Sequence, residues 1–156
     1  MGTRSRIGIL KRDGSVTSIY CMKDGYIDGV GLRLYKYYNN LNSINKLISL
    51  GDIDSLHTYP DLETAKLQEF GNGDITKFFY RDEKEKWKDC KPIDDKNLDD
   101  FFDTLISTTG EYAYLYDELQ QKWMMYKDSF GSSEIELIPL EEELNRELDM
   151  VKEMKI

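Results

Sequence analysis

The chain is poor in the residues that build metal sites, disulfide frameworks and membrane spans. It has two cysteines, three prolines and one histidine in 156 residues. No apolar run approaches the roughly 18 residues that a membrane helix needs. Cys21 and Cys90 stand far apart in unlike contexts, there is no CxxC, and His57 has no cysteine neighbour. That pattern excludes a zinc site of ordinary spacing and a disulfide framework, and it suits a reducing compartment. The stretch Met1-Gly2-Thr3-Arg4-Ser5-Arg6 has no apolar segment of a signal peptide, and Arg6 stands where a myristoylation signal carries Ser or Thr. The expectation is a cytoplasmic protein with no metal, no cofactor and no membrane contact.

What is present is aromatic and acidic. At 40% hydrophobic and 12% aromatic the chain is too apolar to stay disordered, and its length suits one domain. Lys plus Arg number 21 against 30 Asp plus Glu, for a net charge of −9. A chain this acidic is a poor candidate for gripping a nucleic-acid backbone over a wide face. The charge is unevenly spread. Residues 1–50 carry eight basic and three acidic groups, and residues 51–156 carry 13 basic and 27 acidic groups, so a +5 segment precedes a −14 segment.

Periodicity predicts the elements. Arg4 to Lys11 alternates as a strand, Asp13-Gly14 signals a two-residue hairpin turn, and Val16 to Cys21 returns. A Gly-bearing loop follows. Leu32, Leu34, Tyr35 and Tyr38 then recur at helical spacing, predicting a helix over 30–39 with these four inward. Ser43 is placed to cap a second helix with Ile44, Leu47 and Ile48 inward, and Pro60-Asp61-Leu62-Glu63 to open a helical turn. Asp74 to Tyr80 and Lys86 to Cys90 read as paired strands. Asp94 or Asp95 is expected to cap a helix through about Ser107, with Leu98, Phe101, Phe102, Leu105 and Ile106 as its apolar stripe. Tyr112 to Tyr116 and Lys122 to Lys127 read as a hairpin, and Glu134 to Ile138 as a further strand. Pro139 starts a last amphipathic helix with Leu140, Leu144, Leu148 and Val151 on one face. Antiparallel strands without regular βαβ alternation predict an α+β fold: a mostly antiparallel sheet packed by several helices. The predicted organisation is a core over 1–138, with 139–156 docking on that core, on a partner or on a second copy of the chain.

The N-terminal third carries a recognisable pattern: Thr3-Arg4-Ser5-x-Ile7, Asp13-Gly14, and Ile19-Tyr20-Cys21-x-x-Asp24-Gly25-Tyr26-x-x-Gly29-Val30-Gly31. Leu50-Gly51-Asp52-Ile53-x-Ser55-Leu56 and Tyr80-Arg81-Asp82 extend it. Over residues 3–116 the chain resembles a family of small proteins encoded by bacteriophages and prophages. The resemblance implies a phage origin and a bacterial host cytosol rather than a mechanism. It has one departure: Met22, Lys23 and Ile27 stand where the family pattern has His, Trp and Pro. If that His is catalytic or metal-binding in relatives, this member is a binder.

Two sets of residues are candidate sites. In the Gly loop, Lys23, Asp24, Gly25, Tyr26, Gly29, Gly31, Arg33 and the neighbouring Tyr37 could hold a small anionic, nucleotide-like ligand. Glycines before a helix permit close backbone approach and free N–H groups. The spacing is neither GxGxxG nor a P-loop, Asp24 and Asp28 oppose a phosphate, and a tight structural connection explains the same glycines. The second set is acidic: Asp94, Asp95, Asp99, Asp100 and Asp103, with Glu141, Glu142 and Glu143. Carboxylates at this density suit a basic protein surface, with steered, salt-sensitive association; solvated helix faces account for them equally. Cys21 reads more readily as a small buried hydrophobe than as a nucleophile, and the lone His57 as a packed imidazole rather than a base. With no catalytic set visible, the expected function is non-catalytic binding and modulation, inhibition in kind, of a bacterial host or anti-phage defence protein. A small-ligand binder, and a cysteine- or carboxylate-dependent enzyme, stand behind it.

Overall fold

The computed structural model describes residues 2–67, 74–127 and 136–154, and the side chains of all of these except 66–67, 127 and 148–154. The fold is α+β, a single domain with one mostly antiparallel sheet. Its strands are β1 (Ser5–Leu10), β2 (Val16–Cys21), β3 (Ile53–Ser55), β4 (Lys77–Phe78), β5 (Ile93–Asp95), β6 (Tyr112–Asp117), β7 (Lys122–Lys127) and β8 (Ile138–Pro139). The order is β4-β3-β2-β1-β6-β7-β8, and β5 pairs with the first half of β2. Two pairings are parallel, β1 with β6 and the single contact Cys21 to Ile53.

The helices are α1 (Leu32–Tyr37), α2 (Leu41–Ser49), α3 (Leu62–Leu67), α4 (Trp87–Cys90), α5 (Leu98–Ser107) and α6 (Leu140–Met154), with a π-helical turn at Ile27–Gly31 before α1. Strand alternation splits the core into two layers. Ile7, Ile9, Ile19, Tyr114, Tyr116 and Met125 face one side, where Leu34 of α1, Ile44, Leu47 and Ile48 of α2, and Leu140 and Leu144 of α6 cover them. Val16, Ala113 and Leu115 face the other side, under Phe101, Phe102 and Leu105 of α5. β6 is thus a central strand covered on both faces.

Several local expectations are corrected. The first turn is longer than two residues: Leu10 pairs with Val16, Lys11 N–H donates to Ser15 O, and Gly14 sits at φ +89°. The helix expected over 30–39 is shorter and entered through the π turn; Leu34 and Tyr38 share its buried face at i, i+4 spacing, and Tyr35, about 100° round from Leu34, is 40% exposed. Asn40, not Ser43, caps α2 by accepting Ser43 N–H at 2.9 Å, in keeping with the strength of Asn as a cap. Lys86 to Cys90 holds a helical turn rather than a strand, since four residues of alternation fit either. Asp94 and Asp95 are drawn into β5 beside β2, so the cap of α5 passes to Asn97, whose Oδ1 accepts Asp100 N–H at 2.8 Å. Ile106 is 72% exposed and lies off the apolar stripe. The strand expected from Asp74 to Tyr80 contracts to β4 plus a bridge from Tyr59 to Ile75. Glu134, and the Leu148 and Val151 side chains, lie outside the described residues.

Candidate functional site

The Gly loop is a tied structure. Gly25 N–H donates to Thr3 O, Val30 N–H to Asp24 O, and Gly29 N–H to Tyr26 O, all within 3.0 Å. Leu32 N–H bonds back to Gly29 O and Ile27 O. These N–H groups are therefore engaged inside the loop and with the N-terminal segment. Gly29 is required by close approach, because a Cβ there would collide with Asp24 O. The Tyr114 hydroxyl donates to Gly25 O at 2.7 Å and anchors the loop on the core; burial pushes that phenol well above its ordinary pKa. Among the side chains, Lys23 pairs with the buried Asp54 at 3.1 Å, and Asp24, at φ +57°, accepts the exposed Tyr26 hydroxyl at 3.0 Å. Gly31 packs against Tyr114 and Leu140, and Arg33 is half-buried. Tyr37, the last residue of α1, lies exposed and borders a separate depression with Lys36, Lys46 and Tyr59. Cys21 is fully buried, and burial pushes its thiol to about 12, which fits a packed hydrophobe.

Asp94 apart, the two acidic sets lie against opposite faces of the sheet. Asp95 on β5, and Asp99, Asp100 and Asp103 on α5, belong to the α5 side, while Asp94, the register partner of Thr17, takes the face of Ile9 and Ile19. Thr17 Oγ1 donates to Asp94, and Thr104 Oγ1 to Asp95. Glu141, Glu142 and Glu143 occupy the first turn of α6 on the side away from α5, where carboxylates complement the helix dipole. Glu143 pairs with Arg146 at 2.8 Å.

One acidic set joins a cleft. Tyr35 of α1, Tyr116 and Trp123 at the turn end of the β6–β7 hairpin, and Pro139, Glu141 and Glu142 at the start of α6 line a space of about 490 Å³. Tyr35 donates its hydroxyl to Glu141 Oε1 at 2.9 Å, which holds that phenol above its ordinary pKa. Tyr116 and Trp123 meet edge to face at 5.6 Å, and Trp123 Nε1–H donates to Tyr38 O at 2.8 Å, so the aromatic wall is fixed. Lys122 lines the same space, which leaves one cation beside two carboxylates; ring faces next to carboxylates suit a cationic side chain. The sequence places Tyr35 in the core because its i, i+3 spacing to Tyr38 fits an apolar stripe; the structure buries Leu34 and Tyr38 instead.

A second space, about 310 Å³, opens on the α5 side and is lined by Arg6, Tyr20, Asp52, Lys88, Lys91 and Thr108 among others. Arg6 is only 1% exposed. Its Nε donates to Ser18 Oγ at 2.9 Å and its Nη2 to Ser18 O at 3.1 Å, while no carboxylate stands within ion-pair distance among the described residues. Burial lowers the Arg6 pKa, partly offset by the charges of Asp52 and Asp95. Asp52 accepts Tyr20 N–H at 2.8 Å, and its carboxyl is raised to about 6, chiefly by desolvation. Arg6 could have been found from the sequence: alternation about Ile7 puts it on the opposite face, and a central strand has both faces covered.

Among the described residues no group of three or more His, Cys, Asp or Glu is arranged to hold a metal ion, and no helix is long and apolar enough to cross a membrane. No family model matches the chain, and neither the curated proteins nor the solved structures include a significant match to it.

Proposed function

We propose that the protein binds the basic surface of a protein partner and alters that partner's activity, with the cleft between α1, the β6–β7 hairpin and α6 as the contact. The observation that carries this reading is the joining of Tyr35, Tyr116 and Trp123 to Glu141 and Glu142 in one space. A Lys or Arg side chain entering it would gain both a carboxylate and an aromatic face. The −14 charge of residues 51–156 would steer such a partner toward the molecule. The resemblance to phage and prophage proteins favours a bacterial host or anti-phage defence protein as the partner, met in the host cytosol. Capture from bacterial lysate, compared between the parent chain and a Glu141→Lys/Glu142→Lys variant, tests this. A specific species should be retained by the parent, weakened by added salt and lost in the variant. Equal capture by both proteins would refute the cleft.

A second reading, a small anionic ligand, is favoured by Arg6. A buried guanidinium that makes no ion pair among the described residues suits an oxyanion, in a cavity it shares with Lys88 and Lys91 and with the opposing Asp52 and Asp89. Inorganic phosphate and ribose 5-phosphate should raise the melting temperature of the parent chain and leave Arg6→Met unmoved. A flat response in the parent would remove this reading.

A further inference from the structure

The only histidine in the chain is built into a relay that the sequence does not show. The register shift between Ile53 and Ser55 interrupts the alternation of β3, so the buried Leu56 joins Ile53 in the core layer and Ser55 and His57 flank it. The parallel bridge from Tyr59 to Ile75 then lays Asp74 beside His57, and Tyr59 N–H donates to Asp74 O at 3.0 Å. Asp74 Oδ1 lies 2.9 Å from His57 Nδ1, and Ser55 Oγ lies 3.1 Å from His57 Nε2. An ionised carboxylate only accepts, so Nδ1 carries the proton of the neutral imidazole. The lone pair on Nε2 then faces the Ser55 hydroxyl and accepts its proton. That is the order nucleophile, base, orienting carboxylate.

The relay is held from behind. His57 N–H donates to Thr76 Oγ1 at 3.0 Å, and His57 O accepts the Tyr38 hydroxyl at 2.8 Å. Thr58 Oγ1 donates to the second oxygen of Asp74. Ser55 and His57 border an open depression of about 360 Å³ shared with Thr76, Lys77 and Arg81, and the His57 side chain is 35% exposed, enough for a small molecule to reach. Arg81 is committed to Pro60 O and Thr76 O, each at 2.7 Å, and to Asp82. Lys77 is the register partner of Ser55 and makes no close ion pair among the described residues. Register partners share a sheet face, so its ammonium is the cation available to an oxyanion forming at Ser55.

We propose that Ser55, His57 and Asp74 form an acyl-transfer site for short-chain carboxylic esters, with Lys77 beside the developing oxyanion. Ser55 Oγ bonds to the ester carbonyl carbon as its proton passes to His57 Nε2. The bond from that carbon to the alcohol oxygen breaks, and the proton on His57 goes to the departing alcohol. Water then adds to the acyl carbon, gives its proton to His57, and expels Ser55 Oγ, which recovers that proton as the carboxylic acid leaves. Ser55 is the nucleophile and His57 the base; Asp74 is a positioning residue. The depression's apolar lining is limited to Ile75, which suits an acetyl rather than a long acyl chain. The site shares no lining residue with the aromatic–acidic cleft, so it stands or falls apart from the binding reading.

The test uses the full chain. A fluorophosphonate probe should label it, with peptide mass spectrometry placing the adduct on Ser55, and p-nitrophenyl acetate should be hydrolysed with turnover. Hydrolysis should fall at least tenfold in Ser55→Ala and in His57→Gln, with unchanged melting temperatures. Asp74→Asn should slow it similarly, and Asp74→Glu should restore part of the rate. Absence of label on Ser55 in the folded parent chain, which requires no variant, would overturn the proposal. So would hydrolysis in Ser55→Ala equal to that of the parent.

Discussion

The two faces of the sheet are built differently. One is covered by α1, α2 and α6 and buries an apolar layer that runs from Ile7 and Ile19 to Tyr114 and Leu140. The other relies on Phe101, Phe102 and Leu105 of α5 over Val16, Ala113 and Leu115, and this smaller layer gives way to Arg6 and Ser18. Thin cover on the second face lets a guanidinium and the carboxyl of Asp52 lie at the bottom of a cavity. Thick cover on the first holds neutral polar groups, such as the Tyr114 hydroxyl on Gly25 O, and at its margin Tyr35 meets the carboxylate of Glu141. The lesson is that helix cover, more than local sequence, decides where this sheet can keep charge.

The largest effect should come from removing the cover. Phe101→Ala should cost about 3–5 kcal/mol in urea unfolding, since Phe101 is fully buried at the centre of the smaller layer. A loss below about 1 kcal/mol would show that α5 is not what closes this face. Next comes Asp52, which sharpens the contrast through pH. Its folded pKa of about 6 exceeds the ordinary carboxylate value, so between about pH 4 and 6 the folded chain binds more protons than the unfolded one. Stability from this group is therefore present at low pH and lost as pH rises to about 6, by about 2 kcal/mol. Asp52→Asn should lack that slope when melting temperature is followed from pH 4 to 8; an unchanged slope would place the titration elsewhere.

Capping compares the two faces at smaller scale. Asn97→Ala and Asn40→Ala each remove one bond to a helix N–H and should each cost about 1 kcal/mol. The Asn97 change should also speed amide exchange around Phe101, because the described apolar contacts on that face draw on α5 alone among the helices. Equal exchange changes on both faces would erase the distinction. The smallest effect belongs to Arg12→Ala. Its contact with Glu118 is 3.9 Å long and largely solvated, so a shift within about 0.5 kcal/mol is expected in chemical unfolding.

Much of the fold was legible because apolar alternation and helical spacing are local. The strands at Ile7 and Ile9, at Ile19 and Cys21, and at Tyr112 to Tyr116 are where period-two patterning put them. The stripes Ile44-Leu47-Ile48 and Phe101-Phe102-Leu105 are buried as spaced. Caps and short elements were less legible, since Asn40 and Asn97 compete with nearby Ser43 and Asp95, and tertiary pairing decides which side chain is free to cap. The candidate sites were the least legible. The Gly loop was visible as a motif, yet its hydrogen bonds to Thr3 and Tyr114 come from other elements. Tyr35 was misplaced because its i, i+3 spacing to Tyr38 fits a core stripe as well as the i, i+4 spacing of Leu34 does, and Arg6 passed unnoticed as a basic residue in a basic segment.

By itself the sequence determined the α+β class, the hairpin that begins at Tyr112, and the division into a basic beginning and an acidic remainder. These follow from composition and short-range periodicity, which act along the chain. Only the tertiary structure decided that Asp74 stands beside His57, that Glu141 meets Tyr35, and that Arg6 lies buried without a close carboxylate. Each joins or separates residues distant in sequence. Sheet order and helix cover set such distances, and hydrogen bonds and desolvation act on the distances that result.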